Sequence, residues 1–325
     1  MRVVVAIHDP PVWIIPEREV ERLRQALPAD EVSHVRESAG RRGAFADADV
    51  LFATRLNADE FGEARRLAWV HSSAVGVGPL LTPALVASSV VVSNSRGVHS
   101  PTIAEHAIAL VLALRRQLHT AVRRQETRTW AQVELYSPIV PALEATEVLV
   151  VGLGTIGARV AALASGLGMR VVGVRRQLDA PPIAGVSRVL PPERLGDALS
   201  TADVVVLAVP RTEATRALIG RAELALMKPS SMLVNVARGR LVDEEALADA
   251  LEARTIGSAG LDAFQTEPLP SGHRLWSLPN VLITPHSASF SGNYWSPVVD
   301  LFLENVARFR RGEPLVNVVD KALGY

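Results

Sequence analysis

Short apolar runs recur along the chain, and each ends in small or polar residues. A run of four to six apolar residues bounded by turns fits a strand covered on both faces. Such runs fall at residues 3–7, 50–53, 68–71 and 90–93 in the first part. A second series falls at 148–151, 171–174, 204–209, 233–236, 257–261 and 281–284. Between them lie segments with helical spacing. Val20, Leu23 and Leu27 mark a helix over 16–27, and 61–67 and 243–251 read as helical. Ile103, Ala107, Leu110, Val111 and Leu114 stripe a longer helix that Ser100 is expected to cap, with Pro101 at its first position. A last helix carries Val299, Phe302, Leu303, Val306 and Phe309. Strands alternating with helices argue an α/β protein built on parallel sheets. His8 and Asp9 read as a loop pair. The Arg-rich stretch 115–136 reads as a solvated arm or a subunit contact, the contact being preferred.

The second series opens with a glycine fingerprint. Residues 148–151 lead at once into Gly152-x-Gly154-x-x-Gly157, and Ile156, Val160, Leu163 and Leu167 then follow at helical spacing. A second apolar run closes the unit, which is about 30 residues long, as a dinucleotide-binding βαβ unit requires. Gly152 suits the tight turn, Gly154 a close approach of pyrophosphate, and Gly157 close packing of helix on strand. The helix N-terminus offers unpaired N–H groups and a partial positive charge to the phosphates.

The end of the second strand selects the cofactor. An NAD site usually carries an acidic residue there for the ribose 2′-hydroxyl. This chain has Arg175 and Arg176. Guanidinium forks suit a 2′-phosphate through bidentate, charge-assisted hydrogen bonds. NADP(H) is therefore expected over NAD(H); the alternative is a pair of arginines solvated at a strand end.

Composition narrows the class. The chain has 325 residues, 48% hydrophobic and 21% charged, with a formal net charge of zero. That is room for two domains. Lysine occurs only at Lys228 and Lys321, and no basic face of a nucleic-acid binder stands out. Cysteine is absent, which excludes disulfides, a thiol nucleophile and cysteine metal sites. The start lacks the apolar core of a signal peptide, and no run is long enough to span a bilayer. A cytoplasmic location is expected, with no membrane or nucleic-acid partner and no metal.

Polar residues gather where strands end, the ligand edge of an open parallel sheet. Arg238 follows one strand, His286 another, and Glu267 lies in the loop after Asp262. Singly, these read as a surface charge, a satisfied loop histidine and a cap. Together they suit hydride transfer to a keto group. Histidine supplies the proton, a carboxylate holds the imidazolium, and arginine grips a substrate carboxylate. Residues 72–78 form a small-residue loop that presents amides to an anion or simply turns the chain; the local sequence favours the plain turn. Glu105 and His106 have no partner spacing that supports catalysis.

The chain resembles the D-isomer-specific 2-hydroxyacid dehydrogenases. The likeness rests on VGLGTIG at 151–157, VNVARGRLVDEEAL at 234–247, LDAFQTEP at 261–268 and LPNVLITPH at 278–286. It implies a Rossmann-like doubly wound parallel sheet domain, 98–289, inserted into a flavodoxin-like α/β substrate domain made of 1–97 and 290–325. It further implies a homodimer joined through the cofactor domains. By matching position, His286 is the acid/base, Glu267 its partner, and Arg238 the substrate anchor. Val75 and Gly76 become the backbone cradle for the carboxylate, which reverses the local preference for a plain turn. Thr155 and Ile156 lie over the pyrophosphate. Val209, Pro210, Thr215, Val236 and Asp262 line the rest of the cofactor cleft. Arg175, where many NAD-using members carry Asp, is similar to the NADP-dependent glyoxylate and hydroxypyruvate reductases. The implied activity is NADPH reduction of a small 2-oxo acid to the D-2-hydroxy acid. The alternatives are a relative acting on a larger or phosphorylated substrate, and a non-catalytic NADP-sensing protein of the same fold. Trp13, Tyr294 and Trp295 are candidate pocket, core or interface residues.

Overall fold

Residues 1–41, 43–136 and 141–325 are described by a computed structural model. The chain divides into two units, Met1–Val98 with Ser291–Tyr325, and His99–Phe290.

In the first unit the apolar runs become β1 (Arg2–Ala6), β5 (Val50–Ala53), β6 (Trp69–Ser72) and β7 (Val91–Asn94). They are joined by β4 (Glu31–His34) in an all-parallel sheet of order β4-β1-β5-β6-β7. Taken in chain order these five strands follow the flavodoxin-like pattern. Successive side chains point to opposite faces. Val4, Ala6, Leu51, Ala53 and Val70 enter one core, while Val3, Val5, Val50, Phe52 and Trp69 enter the other. Both faces are covered, which is why these strands read as unbroken apolar runs. The helix Trp295–Arg310 closes the second face, with Phe302 stacked 4.3 Å from Phe52 and 5.3 Å from Trp69. His71 is buried in this face, and burial alone pushes its pKa down to about 3. Its Nδ1 lies 2.7 Å from the Ser93 hydroxyl, so it is a neutral, satisfied core residue.

The second unit holds β8 (Glu147–Val151), β9 (Arg170–Val174), β10 (Val186–Leu190), β11 (Val204–Leu207), β12 (Met232–Asn235), β13 (Ser258–Leu261) and β14 (Val281–Ile283). All pair in parallel, in the order β10-β9-β8-β11-β12-β13-β14. This is the dinucleotide-binding order extended by one strand, with the direction of winding reversing between β8 and β11. The helices Ser100–Arg115 and Thr155–Gly166 cover the face that carries Val148, Val150, Val204 and Val206. The helices Leu195–Thr201, Arg221–Leu226 and Glu244–Glu252 cover the face of Leu149, Val151, Val205 and Leu207.

Several local expectations need correction. Ser100 does not cap its helix. It is the first helical residue, its buried hydroxyl has no hydrogen-bond partner among the described residues, and His99 is the N-cap. The helix expected over 61–67 lies at Ala58–Glu63, because the Asn57 side chain accepts from the Glu60 N–H and the Glu60 carboxylate accepts from Asn57 in return. His8 and Asp9 form β2 (His8–Asp9), paired antiparallel with β3 (Trp13–Ile14), rather than a loop. The stretch 115–136 contains the helices Leu118–Glu126 and Gln132–Tyr136. Among the described residues, no helix is long and apolar enough to cross a membrane.

Phe302→Ala should destabilise the first unit by about 3 to 5 kcal/mol, because the stack cannot collapse around the lost ring. Urea unfolding followed by tryptophan fluorescence measures this; a loss below about 1 kcal/mol would show the stack to be dispensable.

Candidate active site

Most of the chemically suggestive residues of the second unit lie at or beyond the carboxyl end of a strand. The turn after β8 carries the fingerprint. Gly152 sits at φ 97°, and a side chain there would meet the Ala208 carbonyl oxygen at 2.7 Å. A Cβ on Gly157 would fall 1.8 Å from the Gly152 carbonyl oxygen. Both glycines are thus required by backbone against backbone. Gly154 differs: nothing lies within 4 Å of where its Cβ would be. The fold does not need glycine at 154, and a group from outside the chain has room to approach the backbone there. Gly154 caps the helix Thr155–Gly166 with no side-chain hydrogen bond, so the first N–H groups are available to an anion. Gly154 and Thr155 are exposed and Ile156 is half-buried. These features fit a dinucleotide pyrophosphate.

The arginine pair after β9 is divided in its contacts. Arg175 donates from Nη1 to the Pro181 carbonyl at 3.1 Å and from Nη2 to the Ala180 carbonyl. It braces the loop 180–181, and its buried Nε has no hydrogen-bond partner among the described residues. Arg176 is exposed. Val209 and Pro210 follow β11. Thr215 donates to the Pro210 carbonyl at 2.7 Å and accepts from the Thr212 N–H at 2.8 Å, which closes the loop after that strand. Val236 is buried just past β12.

Arg238 sits two residues further on. Asn235 pins this turn, its side chain accepting from the Ala237 N–H and donating to the Arg238 carbonyl. Gly239 then packs directly on the chain after β13, where a Cβ would lie 1.8 Å from the Phe264 carbonyl carbon. That close approach brings the Arg238 turn against the loop that holds Glu267. Burial lowers the Arg238 pKa from its ordinary value, against the opposing pull of the Glu267 charge. A guanidinium stays charged at neutral pH regardless.

Glu267 has both oxygens engaged. Oε1 accepts from the Phe264 N–H at 2.9 Å and Oε2 meets His286 Nδ1 at 2.7 Å. Burial pushes this carboxyl up. The hydrogen bonds from His286 and Phe264, with the charges of His286 and Arg238, outweigh it and hold the pKa below the ordinary carboxylate value. Above that value Glu267 is an anion that can only accept, so the bond assigns the proton to Nδ1 and leaves Nε2 as the atom for chemistry. The His286 side chain is 39% exposed, so the ring is accessible to solvent. Its backbone has φ 52°, a left-handed conformation uncommon for a side chain of this size.

Asp262, expected only to line the cofactor cleft, is 1% exposed and accepts from Thr284 Oγ1 and from the Ser287 and Ala288 N–H groups. His106 also reaches this cluster, with Nε2 at 2.9 Å from Thr284 Oγ1. His106 shows in the sequence only as a polar side chain in the first turns of a largely apolar helix, with no partner spacing to support it, and Thr284 only as a strand end.

In the first unit, the loop after β6 carries Val75 and Gly76. The Asn94 side chain holds the Val75 carbonyl at 2.8 Å. Among the described residues nothing accepts from the Val75 or Gly76 N–H. Trp13, Tyr294 and Trp295 lie ring against ring, at centroid separations of 5.5 and 4.9 Å.

A glycine-cradled anion site and an imidazole–carboxylate pair on one sheet edge define a dinucleotide-dependent oxidoreductase. The family is narrower. The NAD-binding domain of the D-isomer specific 2-hydroxyacid dehydrogenases matches residues 108–288, and the chain belongs to that family. The chain is 36% identical over 276 residues to a glyoxylate reductase of Korarchaeum cryptofilum, covering 83% of this chain and 81% of that one. Among solved structures it resembles a family member from Xanthobacter autotrophicus Py2 in complex with NADPH and MES. There the TM-score is 0.85 at 30% identity, over 100% of this chain and 99% of that one. It is also similar to an NADPH-dependent glyoxylate/hydroxypyruvate reductase of Sinorhizobium meliloti, with TM-score 0.85 and 26% identity over 100% and 99% of the two chains.

Gly154→Ala separates fold from binding. Stability should change by no more than about 1 kcal/mol, the usual scale for a changed cap. Affinity for a dinucleotide should fall about tenfold or more, equivalent to about 1.4 kcal/mol. Thermal unfolding and titration calorimetry read the two effects; unchanged dinucleotide affinity would remove the turn from the cofactor site.

Proposed function

We propose that the protein reduces a small 2-oxo acid, of the size of glyoxylate or hydroxypyruvate, to the D-2-hydroxy acid with NADPH. The observation that carries this reading is the His286–Glu267 pair at 2.7 Å, on the same sheet edge as the glycine cradle. NADPH, when bound, supplies the hydride. Gly152, Gly154, Thr155, Ile156 and Gly157 would hold its pyrophosphate, and Val209, Pro210, Thr215, Val236 and Asp262 would flank the remainder.

His286 delivers the proton to the carbonyl oxygen from Nε2. Glu267, bound at Nδ1, orients the ring and stabilises the imidazolium that is consumed. Because the Glu267 pKa is lowered, this hold persists above its folded value and is lost as pH falls through it. Arg238 neutralises the substrate carboxylate and polarises the carbonyl. The family resemblance gives the Val75 and Gly76 N–H groups of the first unit a carboxylate-binding role, and among the described residues nothing accepts from them.

NADP(H) is favoured over NAD(H) because Arg175 and Arg176 stand where a carboxylate would repel a 2′-phosphate. Arg176 is the exposed fork, while Arg175 also shapes the loop through Ala180 and Pro181. The relatives that bind NADPH, named above, support the same preference. A homodimer accords with the helices Leu118–Glu126 and Gln132–Tyr136, which expose Leu118, Val122, Val133 and Tyr136, with Trp130 89% exposed between them.

The test is an absorbance assay with NADPH and NADH against glyoxylate, hydroxypyruvate and a bulkier 2-oxo acid. Turnover should be fastest with NADPH and the two small acids. His286→Ala should lower kcat by about two to four orders of magnitude, and Arg238→Ala should raise KM as well. Replacing Arg175 by Asp together with Arg176 by Ala should swing the preference toward NADH. Wild-type turnover by His286→Ala, or an unchanged coenzyme preference in the double variant, would contradict the respective assignment.

A further inference from the structure

We propose that His106, acting through Thr284, is a positioning residue for His286. The inference rests on the reading of His286 as the proton donor, and it concerns how that ring is held.

The starting point is the backbone of His286. A non-glycine residue at φ 52° persists only where its surroundings fix it. Here the fixing groups are visible on both sides. The His286 N–H itself donates to the Thr284 carbonyl at 3.0 Å. The next two N–H groups, of Ser287 and Ala288, donate to Asp262 Oδ1 at 2.8 Å and Oδ2 at 3.0 Å. Thr284, two residues before His286, donates its hydroxyl hydrogen to Asp262 Oδ1 at 2.7 Å. The loop is thus clamped to one buried carboxylate before and after His286.

That geometry settles the direction of the remaining bond. The Thr284 hydroxyl has a single hydrogen, and it is spent on Asp262. The 2.9 Å contact from His106 Nε2 must therefore be a donation to Thr284 Oγ1. His106 Nε2 also lies 3.6 Å from Asp262 Oδ1. The chain of bonds runs from His106 through Thr284 to Asp262, and the same carboxylate receives the two amides after His286. His106 comes from the helix Ser100–Arg115, which is packed in the core of this unit. A rigid element therefore reaches across to one end of the loop that presents the reactive ring. Donors that polarise one another in sequence also bond more strongly than isolated pairs.

The role is positional, since His106 and Thr284 bond to the loop that presents His286 and not to its ring. Loss of the tether should leave the cofactor cradle of 152–157 intact and let the His286 ring stray from its partner at Glu267. A displacement of about 1 Å at a reacting group costs up to about a hundredfold in rate.

The experiment compares His106→Leu, His106→Gln, Thr284→Val and Thr284→Ser in the full chain, with His286→Ala alongside. Gln carries an N–H donor at the place of Nε2, and Ser keeps the bridging hydroxyl. We expect His106→Leu and Thr284→Val to lower kcat by about tenfold to a hundredfold. In His106→Leu, which leaves the three bonds to Asp262 in place, the KM for NADPH and the unfolding midpoint should stay close to wild type. His106→Gln and Thr284→Ser should recover most of the lost rate. Wild-type kcat in His106→Leu while His286→Ala is inactive would overturn the tether and leave the proton donor standing. A rate lost in His106→Leu and not recovered by Gln would overturn the donor role. Full turnover by His286→Ala would remove the proton donor, and the tether with it.

Discussion

A hydrogen bond of 2.7 Å between His286 Nδ1 and Glu267 Oε2 organises the chemistry of this protein. It assigns a proton to Nδ1 and leaves Nε2 as the nitrogen that the proposed reaction would use. It also keeps Glu267 an anion, in spite of burial that works the other way. Each partner is brought to the bond by backbone. Glu267 is anchored by the Phe264 N–H, in a segment against which Gly239 packs with no space for a side chain. That same contact fixes the turn of Arg238. His286 stands on a left-handed residue clamped by Asp262. Two loops from neighbouring strand ends are thus locked before any ligand is considered, which is the preorganisation a proton-transfer site needs.

The cofactor side follows a different logic. Gly152 and Gly157 are demanded by the fold itself, whereas Gly154 faces open space. The last leaves room for a bound group. The fingerprint therefore mixes structural and functional positions, and the clearance at each Cβ separates them. In the arginine pair after β9, Arg175 is engaged by loop carbonyls and Arg176 is exposed.

Most of the sheet architecture was legible because both faces of each sheet are covered, so central strands are unbroken apolar runs. The strands that escaped were edges. β10 has the partly exposed sequence VSRVL and β4 the half-buried EVSH, and neither carries the buried-strand signal. Helix ends were less legible than helices. The reciprocal bonds of Asn57 and Glu60 moved one helix start, and a buried Ser100 hydroxyl failed to cap another. At the site, Arg238, Glu267 and His286 are bland singly and become legible only as a set and through the family motifs that contain them. His106 does not, because its partner Thr284 lies 178 residues away and no local pattern encodes that contact.

The bond at Nδ1 can be observed directly. Nitrogen NMR of the imidazoles, with His286 assigned by substitution, reports which nitrogen is protonated in the neutral ring. His286 should show the Nδ1–H form, with a shift toward the Nε2–H form in Glu267→Gln. A His286 ring already in the Nε2–H form in the wild-type protein, or one indifferent to loss of the Glu267 charge, would contradict this assignment.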